Sequence, residues 1–162
     1  MKSLNQTVRR MILTAAVAGV VAAVIGGVSL AHAGGSAAAD TTFTLNEVHA
    51  GAQFVNVTHT LDGGPGDELI LRSVLHNQAG DRVGSLNVFC VIVLANQLEC
   101  QGTYRLHGGT ITGTAMVPND ENSTAPVRIA ITGGTGRYDG ARGQIVSTPT
   151  SPDTDRSVVD LD

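Results

Sequence analysis

The residues of this sequence that could do chemistry are few, and the two cysteines stand out among them. Cys90 and Cys100 fall within one predicted hairpin of a chain that begins like an exported protein. An even cysteine pair in that setting indicates a disulfide rather than a metal site or a nucleophile. A hairpin loop centred near Ala95 would align the two cysteines, whereas a two-residue turn at Asn96-Gln97 would set them out of register.

The histidines do not have the pattern of a metal site. His49, His59, His76 and His107 remain after the N-terminal segment is removed, and no two have the spacing that would aim them at one metal from a single strand or helix. The zinc-peptidase and serine-hydrolase motifs are absent, and Asp120-Glu121 lacks the spaced oxygen ligands of a calcium loop. The sequence therefore predicts neither a metal nor another cofactor.

Two predicted strands carry polar residues whose direction decides their role. Glu68, Arg72 and His76 share one face of a strand whose other face carries leucines, so burial of the leucines places these charged residues in solvent. The alternative is that they point into a polar interior as an acid–base set. Tyr104 lies on the apolar face of its strand and is expected inside, where a buried phenol usually has a hydrogen-bond partner.

The stretch from Ile131 to Gly143 is rich in glycine, and its start looks like a dinucleotide-binding turn. Asp139 stands where the third glycine of that motif should be, too few residues follow for a second strand and helix, and no lysine is available for a phosphate loop. The favoured interpretation is a compact connection with Tyr138 as an anchor and Arg137, Asp139 and Arg142 in local ion pairs. Direct contact with a ligand is the alternative.

The first 33 residues have the pattern of a secretory signal peptide. Basic residues up to Arg10 precede an uncharged run, residues 11–30, which ends in Ala31-His32-Ala33. Residues 34–40 then form a flexible linker and residues 41–162 one domain. The run could also span a bilayer, so an uncleaved membrane anchor is the alternative. The paired arginines fit a twin-arginine signal or an ordinary Sec signal, and in either case we expect a secreted or cell-envelope protein with no membrane contact after cleavage.

Charge excludes one class of partner. The signal segment carries three of the ten basic residues, including Lys2, the only lysine, and none of the 14 acidic ones. The remaining 129 residues therefore have a net charge of −7. Nucleic acid is not an expected partner, because binding to phosphate backbones needs clustered lysine or arginine.

The elements that must position these residues are predicted to be short strands. Alternation of apolar and polar residues recurs between connections rich in Gly, Asn and Asp, and no stretch has helical periodicity over three turns. The predicted segments are Thr41–Val48, Gln53–Leu61, Glu68–His76, Arg82–Ala95, Leu98–Leu106, Thr110–Val117, Val127–Thr132, Gly143–Thr148 and Ser157–Leu161. Short hairpins exclude parallel βαβ units and favour an all-β fold, an antiparallel barrel of about eight strands.

One segment breaks the alternation. Residues from Val88 to Ala95 are apolar on both faces, so both faces should be buried. One face can line the barrel and the other needs a cover. We expect a second subunit, hence a homo-oligomer, with cover by the N-terminal strand as the alternative.

Several of these features together resemble the allene oxide cyclase-like and dirigent-like barrel superfamily. They are Gly80-Asp81-Arg82-Val83-Gly84, the cysteine pair with Cys100-Gln101-Gly102-Thr103-Tyr104, Gly108-Gly109-Thr110-Ile111-Thr112, and the glycine-rich stretch. The resemblance covers residues 41–161 and implies an eight-stranded antiparallel barrel, commonly oligomeric, that holds a small apolar molecule. The activities it implies are allene oxide cyclisation, stereocontrol of phenoxy-radical coupling and spirotetronate ring formation.

The function predicted from the sequence is stereoselective cyclisation of a small apolar, polyketide- or lipid-like intermediate by confinement in the barrel. The resemblance supplies no catalytic residue, and confinement removes entropy before ring closure without a cofactor. The residues expected to line the interior are Phe43, Leu71, Leu75, Ile92, Tyr104 and Ile129. The alternatives are a non-catalytic dirigent-like or ligand-binding exported protein and a structural envelope protein with a filled barrel.

Overall fold

The structure, a computed structural model, describes residues 41–60, 63–94, 96–120 and 122–162. The predicted signal peptide and linker, residues 1–40, lie outside the described residues. Every regular element of the described residues is a β-strand. These residues contain no helix that is long and apolar enough to cross a membrane. The strands are β1 (Thr41–Val55), β2 (Glu68–His76), β3 (Arg82–Leu94), β4 (Gln97–Leu106), β5 (Gly109–Pro118), β6 (Val127–Gly136), β7 (Gly143–Ser151) and β8 (Thr154–Leu161).

The eight strands form one closed antiparallel barrel in which neighbours in the chain pair and β8 pairs with β1. This confirms the predicted fold class. The second predicted segment, Gln53–Leu61, is wrong as a separate strand, because its first residues belong to β1. A bulge between His49 and Gly51 lets β1 change direction without ending.

The barrel interior is packed more completely toward one end than toward the other. The closed end is where β2–β3, β4–β5 and β6–β7 connect, and the open end carries the other connections. Apolar side chains bury each other inside the barrel toward the closed end: Leu45, Leu75, Leu86, Tyr104, Ile111, Ile131, Ile145 and Val159. Toward the open end, inward-facing residues such as Leu71, Ile129 and Asp155 are only partly buried. A second buried cluster, Cys90, Ile92 and Leu98, also lies toward this end, so solvent contacts this end at partly exposed side chains such as Asp155.

The β3–β4 hairpin contains the predicted disulfide. Cys90 and Cys100 are bonded and are direct cross-strand partners with their Cα atoms 4.0 Å apart. Leu94 pairs with Gln97, so the hairpin loop ends before Gln97 and a turn at Asn96-Gln97 is wrong. The bond ties the two strands together inside the barrel, in the half nearer the open end.

The connection between β1 and β2 is held by Asp67, whose side chain is fully buried. Its carboxylate accepts hydrogen bonds from the backbone N–H groups of Thr58 (2.7 Å) and Gly64 (2.8 Å) and from the Thr58 hydroxyl (3.0 Å). Burial alone would raise the pKa of Asp67, but these hydrogen bonds lower it below its ordinary value. The ionised carboxylate therefore fixes this connection at the open end.

The first half of the glycine-rich stretch is part of the barrel wall. Gly133–Gly136 belong to β6 and pair with β5, so the connection is limited to residues 137–142. Gly136 has a φ of 63°, and a Cβ atom there would lie 2.1 Å from the carbonyl oxygen of Gly108. Only glycine permits both this conformation and this approach.

The side chains of residues 137–142 confirm one expectation and correct another. Tyr138 packs against the core, and its ring centroid is 6.4 Å from that of Phe43. The expected ion pairs are wrong, because among the described residues no ion pair involves Arg137, Asp139 or Arg142. The Arg137 guanidinium instead lies 5.4 Å from the centre of the Tyr138 ring, where the ring face attracts the cation.

The outer face of β3 is not covered within the described chain. Phe89 and Leu94 point outward and are 44% and 57% exposed, and Val91 and Val93 are only partly buried. Cover by the N-terminal strand, the alternative, is wrong because β1 lies in the barrel wall between β2 and β8, whereas cover by a second subunit stays a prediction. The inward face follows the expectation, since Cys90 and Ile92 are buried.

Candidate functional site

A buried polar cluster lies inside the barrel. The Glu47 side chain on β1 is 3% exposed, and its Oε1 atom accepts a hydrogen bond from the Ser157 hydroxyl on β8 and another, longer one of 3.4 Å from the Tyr104 hydroxyl on β4. All three side chains face the interior. Glu47 pairs in register with the buried Leu75, and Tyr104 and Ser157 are themselves buried. The fold thus brings a carboxyl, a phenol and a hydroxyl together from three strands.

The surroundings favour the neutral form of the Glu47 carboxyl. Burial raises the pKa of Glu47 above its ordinary value, and the nearby charge of Asp155 raises it further. The hydrogen bonds from Ser157 and Tyr104 and the charge of His49 act in the opposite direction without reversing the shift. Burial likewise raises the pKa of Tyr104, so the phenol keeps its proton.

The two oxygens of Glu47 are not equivalent. Both hydrogen bonds end on Oε1, and within the described residues no group donates to Oε2. Oε2 is not fully buried, since it retains some accessible surface. It is therefore the oxygen accessible from the interior, and in the neutral carboxyl it can carry a proton toward a bound molecule.

All six residues predicted to line the interior face it. Leu75 and Tyr104 lie in the main core cluster, Phe43 and Ile129 pack against that cluster, and Ile92 lies in the smaller cluster around the disulfide. Leu71 pairs with the inward-facing Val88 and is partly buried. Leu75 and Tyr104 sit at the packed end, whereas Leu71 and Ile129 are reached from the open end.

The charged face of β2 lies on the outside of the barrel. Arg72 is exposed, while Ser73 and Leu75 on the opposite face are buried. Glu68, Arg72 and His76 therefore belong to the outer wall, and the alternative of an interior acid–base set is wrong for these residues. The described residues contain no group of three or more His, Cys, Asp or Glu arranged to hold a metal ion.

The outer wall has two open depressions that do not coincide with this cluster. One of about 430 Å³ lies between β3 and β4 beside Arg82, Arg105 and His107, and one of about 360 Å³ lies beside Met116 and Arg128. Both are shallow and include no buried titratable group. Glu47 combines burial, a shifted pKa and convergent polar partners, which are the features of a functional site, so we assign the candidate site to the interior.

Glu47 and Ser157 were missed by the sequence-based prediction, although the sequence contains a signal for both. Glu47 continues the alternation of Phe43 and Leu45, and Ser157 has the same spacing from Val159. A carboxyl on the apolar face of a strand indicates a buried acid. The pairing of β1 with β8, which joins residues far apart in the chain, cannot be obtained from this local spacing.

Comparison with known proteins extends this result. No protein-family model and no curated protein matches the chain. Among solved structures, a pyocyanin demethylase matches with a TM-score of 0.64 and 25% identity over 74% of this chain and 99% of that one. The Diels Alderase AbmU from Streptomyces koyangensis matches with a TM-score of 0.64 and 21% identity over 76% of this chain and 63% of that one. The pterocarpan synthase dirigent protein PsPTS1 matches with a TM-score of 0.53 and 17% identity over 76% and 92%.

The chain has the allene oxide cyclase-like barrel fold. The resemblance drawn from the hairpins and the glycine-rich stretch is thereby confirmed at the level of the fold. In this allene oxide cyclase-like barrel the interior carries Glu47, Tyr104 and Ser157 beside aliphatic side chains. The barrel fold by itself does not assign a reaction, which has to be argued from these residues.

Proposed function

We propose that this barrel binds a small, largely apolar molecule at its open end and promotes the stereoselective cyclisation of that molecule. The observation that carries the proposal is the buried Glu47 carboxyl, with Oε2 facing the interior and Oε1 held by Tyr104 and Ser157. Partly buried aliphatic residues such as Leu71 and Ile129 supply the apolar wall around it. Structural neighbours described as a demethylase, a Diels Alderase and a dirigent protein support small-molecule chemistry in such barrels.

Confinement and proton donation act together in this proposal. The wall selects one folded conformer of a flexible substrate, which removes conformational entropy before the ring closes. Oε2 of the neutral Glu47 donates its proton to a carbonyl oxygen conjugated with the reacting carbons, and a new carbon–carbon or carbon–oxygen bond forms. Ser157 and Tyr104 stabilise the carboxylate through Oε1. In such a cycloaddition π bonds of the substrate become the σ bonds of the ring, and the carbonyl oxygen of the product returns the proton to Glu47, so the overall change is an isomerisation that consumes no reagent.

The second candidate is a binding protein without catalytic activity. It is favoured by the dense packing of aliphatic side chains such as Leu75, Ile111 and Ile145, all fully buried, which leaves the closed half of the barrel filled. A ligand would then occupy only the open half. Ligand binding without conversion separates this candidate from the first.

The test is incubation of the mature protein, residues 34–162, with linear polyenes that carry a conjugated carbonyl group, followed by chiral chromatography of the products. We expect one stereoisomer in excess, and a decrease in rate of at least about a hundredfold for Glu47→Gln, the range for loss of a general acid. Glu99→Gln, on the exposed face of β4, is the matched control and should retain the activity. Product ratios unchanged across the panel, together with tight binding, would favour the binding protein.

We propose that the protein is exported and acts in the cell envelope or outside the cell. The N-terminal pattern ending in Ala31-His32-Ala33 supports export, and so does the disulfide, since such bonds persist in oxidising compartments. Mass spectrometry of the protein from the producing cells tests this. A mature form that begins at Gly34 supports cleavage, and an intact N-terminus in the membrane fraction supports the uncleaved anchor.

We propose in addition that the barrel forms a homo-oligomer through the outer face of β3. The exposed Phe89 and Leu94, with Val91 between them, form an apolar surface that supports self-association. Sedimentation of the mature protein should give an oligomer that Phe89→Asp converts to a monomer, whereas Met116→Asp, on the outer face of β5, leaves it unchanged. A monomeric wild-type protein at all concentrations refutes the proposal.

A further inference from the structure

A histidine–aspartate pair lies between the buried Glu47 and the open end. His49 follows Glu47 by two positions on β1, and Asp155 is the register partner of Glu47 on β8. The Nε2 atom of His49 is 3.3 Å from Oδ2 of Asp155. The backbone N–H of His49 also donates to the carbonyl oxygen of Asp153 at 2.9 Å, so His49 is held to the β8 side through both its backbone and its side chain.

Exposure increases along this row of side chains. Glu47 is 3% exposed, whereas the side chains of Asp155 and His49 are 23% and 36% exposed. The pair is therefore the boundary between the interior carboxyl and solvent. The bulge that follows His49 belongs to the same arrangement, because the strand changes direction immediately after the histidine.

We propose that His49 and Asp155 are positioning residues that set the protonation state of Glu47. This inference rests on the proposed function, in which Glu47 is the proton donor. The role proposed for the pair is exerted on Glu47 and not on the substrate. The pair acts on Glu47 through charge, and the opposite signs of its two members make that action specific.

The titratable groups that face Glu47 come from three strands. Asp155 on β8 raises the pKa of Glu47, and His49 on β1, when protonated, lowers it, with the effect of Asp155 the larger of the two. The hydrogen bond to Asp155 raises the pKa of His49 against the opposing effect of burial, and the charges of Asp155 and Asp153 raise it further. Tyr104 on β4 stays neutral and contributes a hydrogen bond.

The two members of the pair therefore have opposite effects on Glu47. Loss of the Asp155 charge makes the Glu47 carboxyl a stronger acid, even if His49 loses its own proton as a result, because the Asp155 effect is larger. Loss of the His49 charge leaves Asp155 unbalanced and makes Glu47 a weaker acid. A purely structural role for the pair would not give shifts of opposite sign.

The experiment is a pH titration of the Glu47 carboxyl carbon by ¹³C NMR in the mature protein without substrate. We expect Asp155→Asn to lower the midpoint and His49→Gln to raise it, each by about one pH unit, the size of shift that a neighbouring charge produces. Asp160→Asn and His107→Gln are the matched controls, since Asp160 bonds Thr42 on the outer wall and His107 is exposed. Neither control should move the midpoint.

Shifts of the same sign, or shifts no larger than those of the controls, would overturn the inference. If Asp155→Asn does not fold, His49→Gln alone decides, because an unchanged or lower midpoint is incompatible with the proposal. The titration needs no substrate, so its result is independent of the cyclisation test. An active Glu47→Gln variant would refute the proposed function and leave the charge coupling intact.

Discussion

Replacement of Glu47 by glutamine should make the stability of the barrel less sensitive to pH. In the unfolded chain the carboxyl ionises near its ordinary value of about 4.3, whereas burial keeps it neutral to higher pH in the folded protein. Between these two values the unfolded state has released a proton that the folded state retains. The wild-type protein therefore loses about 1.4 kcal/mol of stability for each pH unit of this window. Glutamine has nearly the same shape but no ionisable proton, so the Glu47→Gln variant does not lose this stability as the pH rises.

The assay is thermal unfolding of both proteins in buffers from pH 4 to pH 8. The two melting temperatures should differ least at pH 4, where the side chain is largely neutral in both proteins and in both states. With rising pH the variant should become more stable than the wild type by about 4 °C for each kcal/mol, given a domain of this size. Glu99→Gln, on the outer wall, is the control and should give no such divergence. A difference that is constant with pH, or a variant that is less stable at pH 8, would refute the assignment of Glu47 as a buried neutral acid.

Three further predictions concern the scaffold. Ile111→Ala should destabilise the protein by about 2–5 kcal/mol in urea unfolding because Ile111 is fully buried, whereas the exposed Met116→Ala should have little effect. Gly136→Ala should be clearly more destabilising than Gly80→Ala in the same urea unfolding measurement. Both glycines have positive φ, but of the two only Gly136 has backbone atoms where a Cβ atom would lie. Equal losses of stability would contradict this explanation. Asp67→Asn should increase hydrogen exchange in residues 56–60, and the wild type should lose the same protection only as pH falls below about 4, since its hydrogen bonds lower the pKa of Asp67.

The fold was largely predictable because its signals are local. Alternation located the strands, apart from the second half of β3, which is apolar on both faces, and short connections implied antiparallel neighbours, which together give the barrel. The disulfide followed from the position of Cys90 and Cys100 in one hairpin. The separate strand Gln53–Leu61 was wrong because a bulge, which shifts the alternation by one residue, looks like a break between two strands in the sequence.

The candidate site was only partly predictable because it depends on closure of the barrel. The direction of Tyr104 followed from the apolar face of its strand, and its buried partner was expected without being identified. That partner, Glu47, meets Ser157 and Asp155 only because β8 returns to β1. Which residues of β8 lie beside Glu47 depends on the register of that last pairing, and no local pattern encodes this register.

The division of the barrel into a closed and an open end has a consequence for engineering. The glycine contacts that complete the wall and the anchor Tyr138 lie at the closed end. The β5–β6 and β7–β8 connections lie at the open end, away from those contacts. Libraries of variants in these two connections can therefore change which molecules enter, while the parts that hold the barrel together remain untouched.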